Sequence, residues 1–244
     1  MPTLSPSQQK EYDRLLKQLP VGSSFIVWTY NGMGKTTLLE ELHKNKGGEL
    51  LSMRDYVDQL RLQDPFKMEE TFEQMIMQAL GRSDLVILDD LQLLYDVVCG
   101  CGYRDTYPRS GFVNAVLSNI VAYVASAGKK IVFGNEGKTP DPLADRVYYA
   151  GFQKFTVEDY EFLCRKWLDG NGAMDYAKIH RFAPKLNAHQ LKSASLFLKE
   201  TEDEVHTELF IEYLRTQRMA SNVDLGEVEA VDLKSLRGID DIIE

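Results

Sequence analysis

Two glycines, a lysine and two threonines fall together in Gly32-Met33-Gly34-Lys35-Thr36-Thr37, directly after the apolar run Phe25-Ile26-Val27-Trp28. Residues of these types at this spacing suit one task, the binding of a polyphosphate. Successive backbone N–H groups can wrap an anion only where side chains do not intrude, which accounts for Gly32 and Gly34. A helix starting at Thr36 aims its N-terminal dipole and its amides at the same anion. Lys35 would then reach the β and γ phosphates, and the Thr36 hydroxyl would hold Mg²⁺. The octapeptide Thr29-Tyr30-Asn31-Gly32-Met33-Gly34-Lys35-Thr36 fits the pattern GxxxxGK[ST] at every fixed position except the first, where Thr29 replaces a glycine.

Well downstream, Asp89 and Asp90 abruptly end the wholly apolar run Leu85-Val86-Ile87-Leu88. If that run is a strand of a parallel sheet, its C-terminal end is where ligands bind. An aspartate there can hold Mg²⁺ through water, and an adjacent acid can orient or deprotonate an attacking water. Asn135 follows a third buried run, Lys130 to Gly134, and a polar amide at that tip is placed to touch the γ-phosphate or the attacking water.

The elements that must position these residues are legible from periodicity. Ser5 to Leu19 reads as a helix, with Ser5 as N-cap, Pro6 in the first turn and Gln8 at capping-box spacing. Thr36 to His43, Glu69 to Leu80 and Phe112 to Ala127 carry apolar residues at helical spacing. Phe25 to Trp28, Glu49 to Met53, Leu85 to Leu88 and Lys130 to Gly134 read as buried strands. Such alternation implies an α/β fold: a parallel sheet with helices on both faces. Near Phe155 the texture changes. Thr156 to Leu168, capped by Thr156 with Asp159 in the reciprocal position, begins an all-helical stretch reaching about Arg218. It is interrupted at Asp169-Gly170-Asn171-Gly172 and at Pro184 to Asn187. The expected division is therefore a nucleotide-binding αβα core at 1–153, a small helical lid at 154–220 and an acidic linker at 221–244.

Composition bounds the alternatives. The 244 residues are 44% hydrophobic and 27% charged, ordinary for a globular chain and incompatible with a mainly disordered one. The net charge of −9, from 28 basic and 37 acidic residues, disfavours a broad nucleic-acid or anionic-membrane surface. Three cysteines are too few for a disulfide framework, and no apolar run approaches the roughly 18 residues of a membrane span. A cytoplasmic protein is expected.

The order of strand, Gly-Met-Gly-Lys-Thr, Leu-Val-Ile-Leu-Asp-Asp, Ile-Val-Phe-Gly-Asn and a small helical region resembles the AAA+ ATPase superfamily of P-loop NTPases over roughly residues 20 to 215. The resemblance implies Lys35 and Thr36 as Walker A residues, Asp89 and Asp90 as Walker B, and Asn135 as sensor 1. It implies ATP or ADP with Mg²⁺, held by Thr29 to Thr37 and by Asn187 and Ala188 at the lid turn, with the metal on Thr36 and Asp89. It further implies a homo-oligomeric ring, in the family often a hexamer, in which an arginine of a neighbouring copy completes hydrolysis; Arg146 stands near that position. A ring of this kind remodels a substrate, protein more readily than nucleic acid. Leu88-Asp89-Asp90-Leu91-Gln92 is similar to the Walker B of replication initiators and helicase loaders. The tail Val231 to Ile243 looks like the opening of another AAA module, as in a tandem protein whose first module this would be. The chain departs from the family in having Asp90 for the usual glutamate, Thr29 for a loop glycine and no arginine at the start of the helix at Ala188. A nucleotide-bound structural module with weak or no hydrolysis, and a DNA-linked initiator or loader, stand as alternatives.

Other features carry less. Cys99-Gly100-Cys101 lacks a second pair for a zinc site. Tyr103, Arg104, Tyr107 and Arg109 interleave aromatic and basic residues in a loop from Cys99 to Ser110, as either a nucleic-acid or peptide contact or a subunit-contact loop does.

Overall fold

The computed structural model describes residues 3–94, 110–168, 174–202 and 204–219. Apart from Ser110, which begins a helix, the expected loop from Cys99 to Ser110 lies outside the described residues, as do the break at 169–172 and the linker and module opening at 221–244.

Five parallel strands form one sheet in the order β2-β3-β4-β1-β5: β1 (Ser24–Thr29), β2 (Glu49–Leu51), β3 (Leu85–Leu88), β4 (Lys130–Asn135) and β5 (Tyr148–Phe152). The central strands are apolar on both sides because both faces are covered. On one face Phe25, Val27, Ile87, Val132 and Ala150 pack with Tyr12 and Leu15 of α1 (Pro6–Gln18) and with Leu38, Leu39 and Leu42 of α2 (Lys35–Lys46). On the other, Ile26, Val86, Leu88, Ile131 and Phe133 meet α4 (Met68–Arg82) and α5 (Ser110–Ala127). The expected parallel sheet with helices on both sides is thus observed.

Two elements differ from expectation. The second strand ends at Leu51 rather than Met53, because Ser52 caps a helix that the alternation pattern concealed, α3 (Met53–Leu60). The Asp55 carboxylate accepts the Ser52 N–H at 2.7 Å, a local pairing that outcompetes strand extension. A short 3₁₀ turn, Pro65–Lys67, then leads into α4. The fifth strand, β5, was not evident in the sequence. Its Tyr148 and Tyr149 are exposed, as befits an edge, and Gly151 lies so close to β1 that a Cβ there would stand 1.9 Å from the Trp28 carbonyl oxygen.

After a single helical turn, α6 (Asp141–Ala144), and β5, four helices follow among the described residues: α7 (Val157–Leu168), α8 (Tyr176–Phe182), α9 (Ala188–Thr201) and α10 (Thr207–Thr216). Their apolar faces share a separate cluster around Tyr160, Leu191 and Phe210. The buried Tyr160 hydroxyl donates to the Ala183 carbonyl at 2.5 Å and accepts from Leu186 N–H at 2.9 Å, which fixes the turn before α9. Met33 of the glycine turn, 4% exposed, joins this cluster from the sheet side, and Phe152 of β5 packs against it.

Candidate nucleotide site

Strand register decides what can meet. Trp28 of β1 pairs with Asn135 of β4, and Leu88 of β3 pairs with Phe133 of β4, so β3 ends two residues before β4 and Asp89 follows it toward the level of Gly134. Residues just beyond them, the glycine turn after β1 and Asp89 after β3, therefore share one edge of the sheet. Asp89 fits beneath that edge only because its neighbour is glycine: a Cβ on Gly134 would sit 2.5 Å from Asp89 Oδ1.

Around this edge the expected residues converge. Lys35 Nζ donates to Asp90 Oδ1 at 2.5 Å and lies 3.3 Å from Asp89 Oδ1. Thr36 Oγ1 donates to Asp89 Oδ2 at 2.6 Å, and Asp89 Oδ1 accepts the Asp90 N–H at 2.8 Å. Asp90 adopts a left-handed backbone (φ 60), uncommon for a non-glycine residue, and this turns its carboxylate back toward Lys35. Burial pushes the Asp90 carboxyl up, but hydrogen bonds from Lys35 and Gln92 and the Lys35 charge outweigh it and hold the group below the usual carboxylate range. It is an anion at neutral pH.

These groups border a cleft of about 960 Å³ between the sheet edge and the helical layer. Of the sequence-predicted residues, Tyr30, Asn31, Gly32, Gly34, Lys35, Thr36, Thr37, Asp90 and Ala188 line it. Thr29, Met33, Asp89, Asn135 and Asn187 back the lining instead. Thr29 completes β1 with its hydroxyl buried, and Met33 points into the helical cluster. Asn135 is fully buried; its Nδ2 donates to the Lys138 carbonyl at 3.4 Å, and its Oδ1 has no partner among the described residues. Asn187 caps α9, accepting the Gln190 N–H at 2.9 Å, and its Nδ2 reaches the Asn31 carbonyl at 3.4 Å. Arg146 is exposed and does not border this cleft.

Other groups stand at the site, of which the sequence had marked His189, near the lid turn, either to stack on an adenine or to face solvent. Glu136, next to Asn135, accepts the Asn31 N–H at 2.9 Å, and Gln92 donates to Asp90 at 2.9 Å. His189 and Lys192 of α9 and Trp167 of α7 form the opposite wall. Gln8 of α1 donates from Nε2 to the Met33 carbonyl at 2.9 Å. The capping-box spacing that flagged Gln8 spoke only of its helix. Lys192 and Trp167 had no motif to mark them.

Chemically, the cleft offers a loop of backbone amides, a helix N-terminus and Lys35 for an anion, and the oxygen pair of Thr36 and Asp89 for a hard cation. Among the described residues no group of three or more His, Cys, Asp or Glu forms a metal cage of its own. An oxygen pair of this kind, completed by phosphate and water, suits Mg²⁺, which is usually held by one or two protein ligands plus substrate phosphates. Among the described residues no helix is long and apolar enough to cross a membrane.

The sequence matches no protein-family model, and no curated protein sequence matches it. Solved structures do. Domain III of the replication initiation protein DnaA from Thermotoga maritima superposes with a TM-score of 0.55 at 18% identity, over 88% of this chain and 93% of that one. AMPPCP-bound DnaA from Aquifex aeolicus gives 0.55 at 15% identity, over 88% of this chain and 66% of that one. A DNA replication initiation factor gives 0.52 at 15% identity, covering 88% and 65%. The chain therefore has the α/β P-loop NTPase-like fold of these structures.

Proposed function

We propose that the chain is an AAA+ ATPase domain that binds Mg·ATP or ADP in this cleft and couples hydrolysis to a change in subunit geometry. On this reading residues 1–153 are the nucleotide core, 154–220 the lid and 221–244 a linker. The observation that carries it is the meeting of Lys35, Thr36, Asp89 and Asp90 within hydrogen-bonding distance, at the C-terminal edge of a parallel sheet and at the start of α2.

The loop amides and the α2 N-terminus would receive the phosphates. Lys35 exchanges its contact with Asp90 for the β and γ phosphate oxygens, so one ion pair replaces another and the buried ammonium is never left unpaired. Thr36 and Asp89 would hold Mg²⁺, which when bound neutralises charge on the phosphate oxygens. Once Lys35 has moved away, Asp90 can accept a proton from, or orient, a water. The unpartnered Asn135 Oδ1 gives an acceptor for a second hydrogen of the same kind of water. Asn187 and Ala188, at the start of α9, flank the nucleotide on the lid side. Arg146, exposed away from its own cleft, would serve the cleft of a neighbouring copy in a homo-oligomeric ring, with a protein as the substrate remodelled in the cytoplasm.

A second reading, a nucleotide-bound scaffold with weak hydrolysis, is favoured by one observation: the short Asp90 carboxylate is spent on Lys35 and Gln92. A DNA-linked initiator role takes its support from the fold shared with the initiator structures; DNA binding that weakens steeply with salt would favour it.

Titration of ADP into wild type and Lys35→Ala by calorimetry tests the central reading. Lys35→Ala is expected to abolish tight binding, because it removes the loop's side-chain cation. Equal affinity in the two proteins would refute the phosphate-loop assignment.

A further inference from the structure

We infer that Gln8 is a positioning residue for phosphate binding, holding the glycine loop from behind together with Asn187 so that its amides face the cleft. The inference rests on the phosphate-binding reading above and adds to it the groups that orient the loop.

Three consecutive loop carbonyls each receive a donor from outside the loop. Asn31 O accepts from Asn187 Nδ2 at 3.4 Å, Gly32 O from the Ala188 N–H at 2.9 Å, and Met33 O from Gln8 Nε2 at 2.9 Å. In a trans peptide the carbonyl of one residue and the N–H of the next point in opposite directions. Pinning Asn31 O and Met33 O therefore turns the N–H groups of Gly32 and Gly34 the other way. Gly32 and Gly34 border the cleft, whereas Gln8 and Asn187 do not. The Met33 N–H, between them, closes a turn onto Tyr30 O at 3.2 Å.

The pin at Met33 is built rather than incidental. Gln8 is 4% exposed, and its Oε1 accepts the Ser5 N–H at 2.8 Å, which leaves Nε2 facing the loop. Gly34 sits so close that a Cβ would stand 2.0 Å from Gln8 Nε2. A Cβ on Gly32 would likewise stand 2.7 Å from Asn187 Cγ and Nδ2. Both glycines thus make room for the pinning side chains as well as for an anion.

The pin continues into the helical layer. Ser7, beside Gln8, donates from its N–H at 2.8 Å and its hydroxyl at 2.5 Å to Asp159, which is fully buried and also accepts the Thr156 N–H at 2.8 Å. Met33 meanwhile buries its side chain in that same helical layer. A polar thread runs from Met33 O through Gln8, Ser7 and Asp159 to the cap of α7. Docking of the helices and orientation of the amides are then linked, and each must favour the other.

The test uses the full chain and inorganic tripolyphosphate, which has no base or sugar, beside ADP. Gln8→Met keeps length and burial but removes the amide donor to Met33, together with the oxygen that accepts the Ser5 N–H. By calorimetry it is expected to weaken tripolyphosphate and ADP equally, by about tenfold, the worth of one hydrogen bond, with stoichiometry unchanged. A purely structural defect would instead lower the stoichiometry and leave the affinity of the folded fraction intact. In amide proton spectra the Gly34 N–H should shift downfield with tripolyphosphate in wild type and shift less in Gln8→Met. If Gln8→Met does not fold, Asn187→Ser keeps a helix-capping oxygen without adding charge, loses the amide donor to Asn31, and is expected to weaken tripolyphosphate in the same way. Tight wild-type binding with equal affinity in the folded variant overturns this inference alone. Absence of wild-type binding overturns the phosphate-binding reading and this inference with it.

Discussion

Replacing Gly32 with alanine should destabilise the fold by about 1.5–4 kcal/mol, from two separable sources. Gly32 has φ +76, and a left-handed backbone costs an L-residue about 1–2 kcal/mol. The new Cβ would also stand 2.7 Å from Cγ and Nδ2 of Asn187 and 3.0 Å from Cδ2 of His189. Asn187 must then move, and it is the residue whose oxygen caps α9 at the Gln190 N–H. Losing an N-cap costs about 0.5–2 kcal/mol. A double-mutant cycle by urea denaturation separates the sources. Asn187→Ala removes the cap in advance, so in that background Gly32→Ala should cost only the backbone portion, about 1–2 kcal/mol. The coupling between the two sites should therefore be of the size of the cap itself, about 0.5–2 kcal/mol. An identical penalty for Gly32→Ala in both backgrounds would refute the contact argument and leave backbone strain as the whole effect.

Two other outcomes follow from the site and from the helical core. Asp90→Asn in the assembled protein should retain nucleotide binding while hydrolysis falls on the order of 10²–10⁴-fold, because an amide cannot take the proton or hold negative charge; a turnover assay giving equal rates would favour the scaffold reading. Cys164 is fully buried, and burial pushes its thiol up to about 12. It therefore stays protonated at neutral pH, since a raised thiol value means the reactive thiolate forms only well into the alkaline range. In a Cys99→Ser/Cys101→Ser background, a chromogenic disulfide reagent should label the native protein slowly and the urea-unfolded protein at once. Rapid labelling of the native state would show that α7 and α9 do not close over the thiol.

The elements near the site were legible because their signals are local. Apolar runs long enough to be strands but too short for helices end at Trp28, Leu88 and Gly134; Asp89 and Asn135 follow the last two at once, and the glycine turn with Lys35 and Thr36 follows the first. Once the sheet is parallel, its strand ends share an edge, so Lys35, Asp89, Asp90 and Asn135 had to gather there whatever the details of packing. The short-range caps of α1 and α7 were equally readable. Ser52 and Asp55 offered the same kind of signal for α3, but the apolar Leu50-Leu51 before them read as a strand running on to Met53. The edge strand β5 was hidden because Tyr148, Tyr149 and Gly151 make no buried apolar run; pairing with β1 on one side is what holds it extended.

What the sequence alone determined was a phosphate-type loop on a parallel sheet with helices to follow. Only the tertiary structure decided what stands around that loop. The Gln8 bond to Met33 spans 25 residues and the Asn187 bond to Asn31 spans 156. Glu136 reaches Asn31 from 105 residues away. No periodicity encodes such pairs. A loop carbonyl is satisfied by whichever donor the packing of separate helices brings within about 3 Å, and that depends on the whole set of buried contacts at once rather than on any stretch of neighbouring residues.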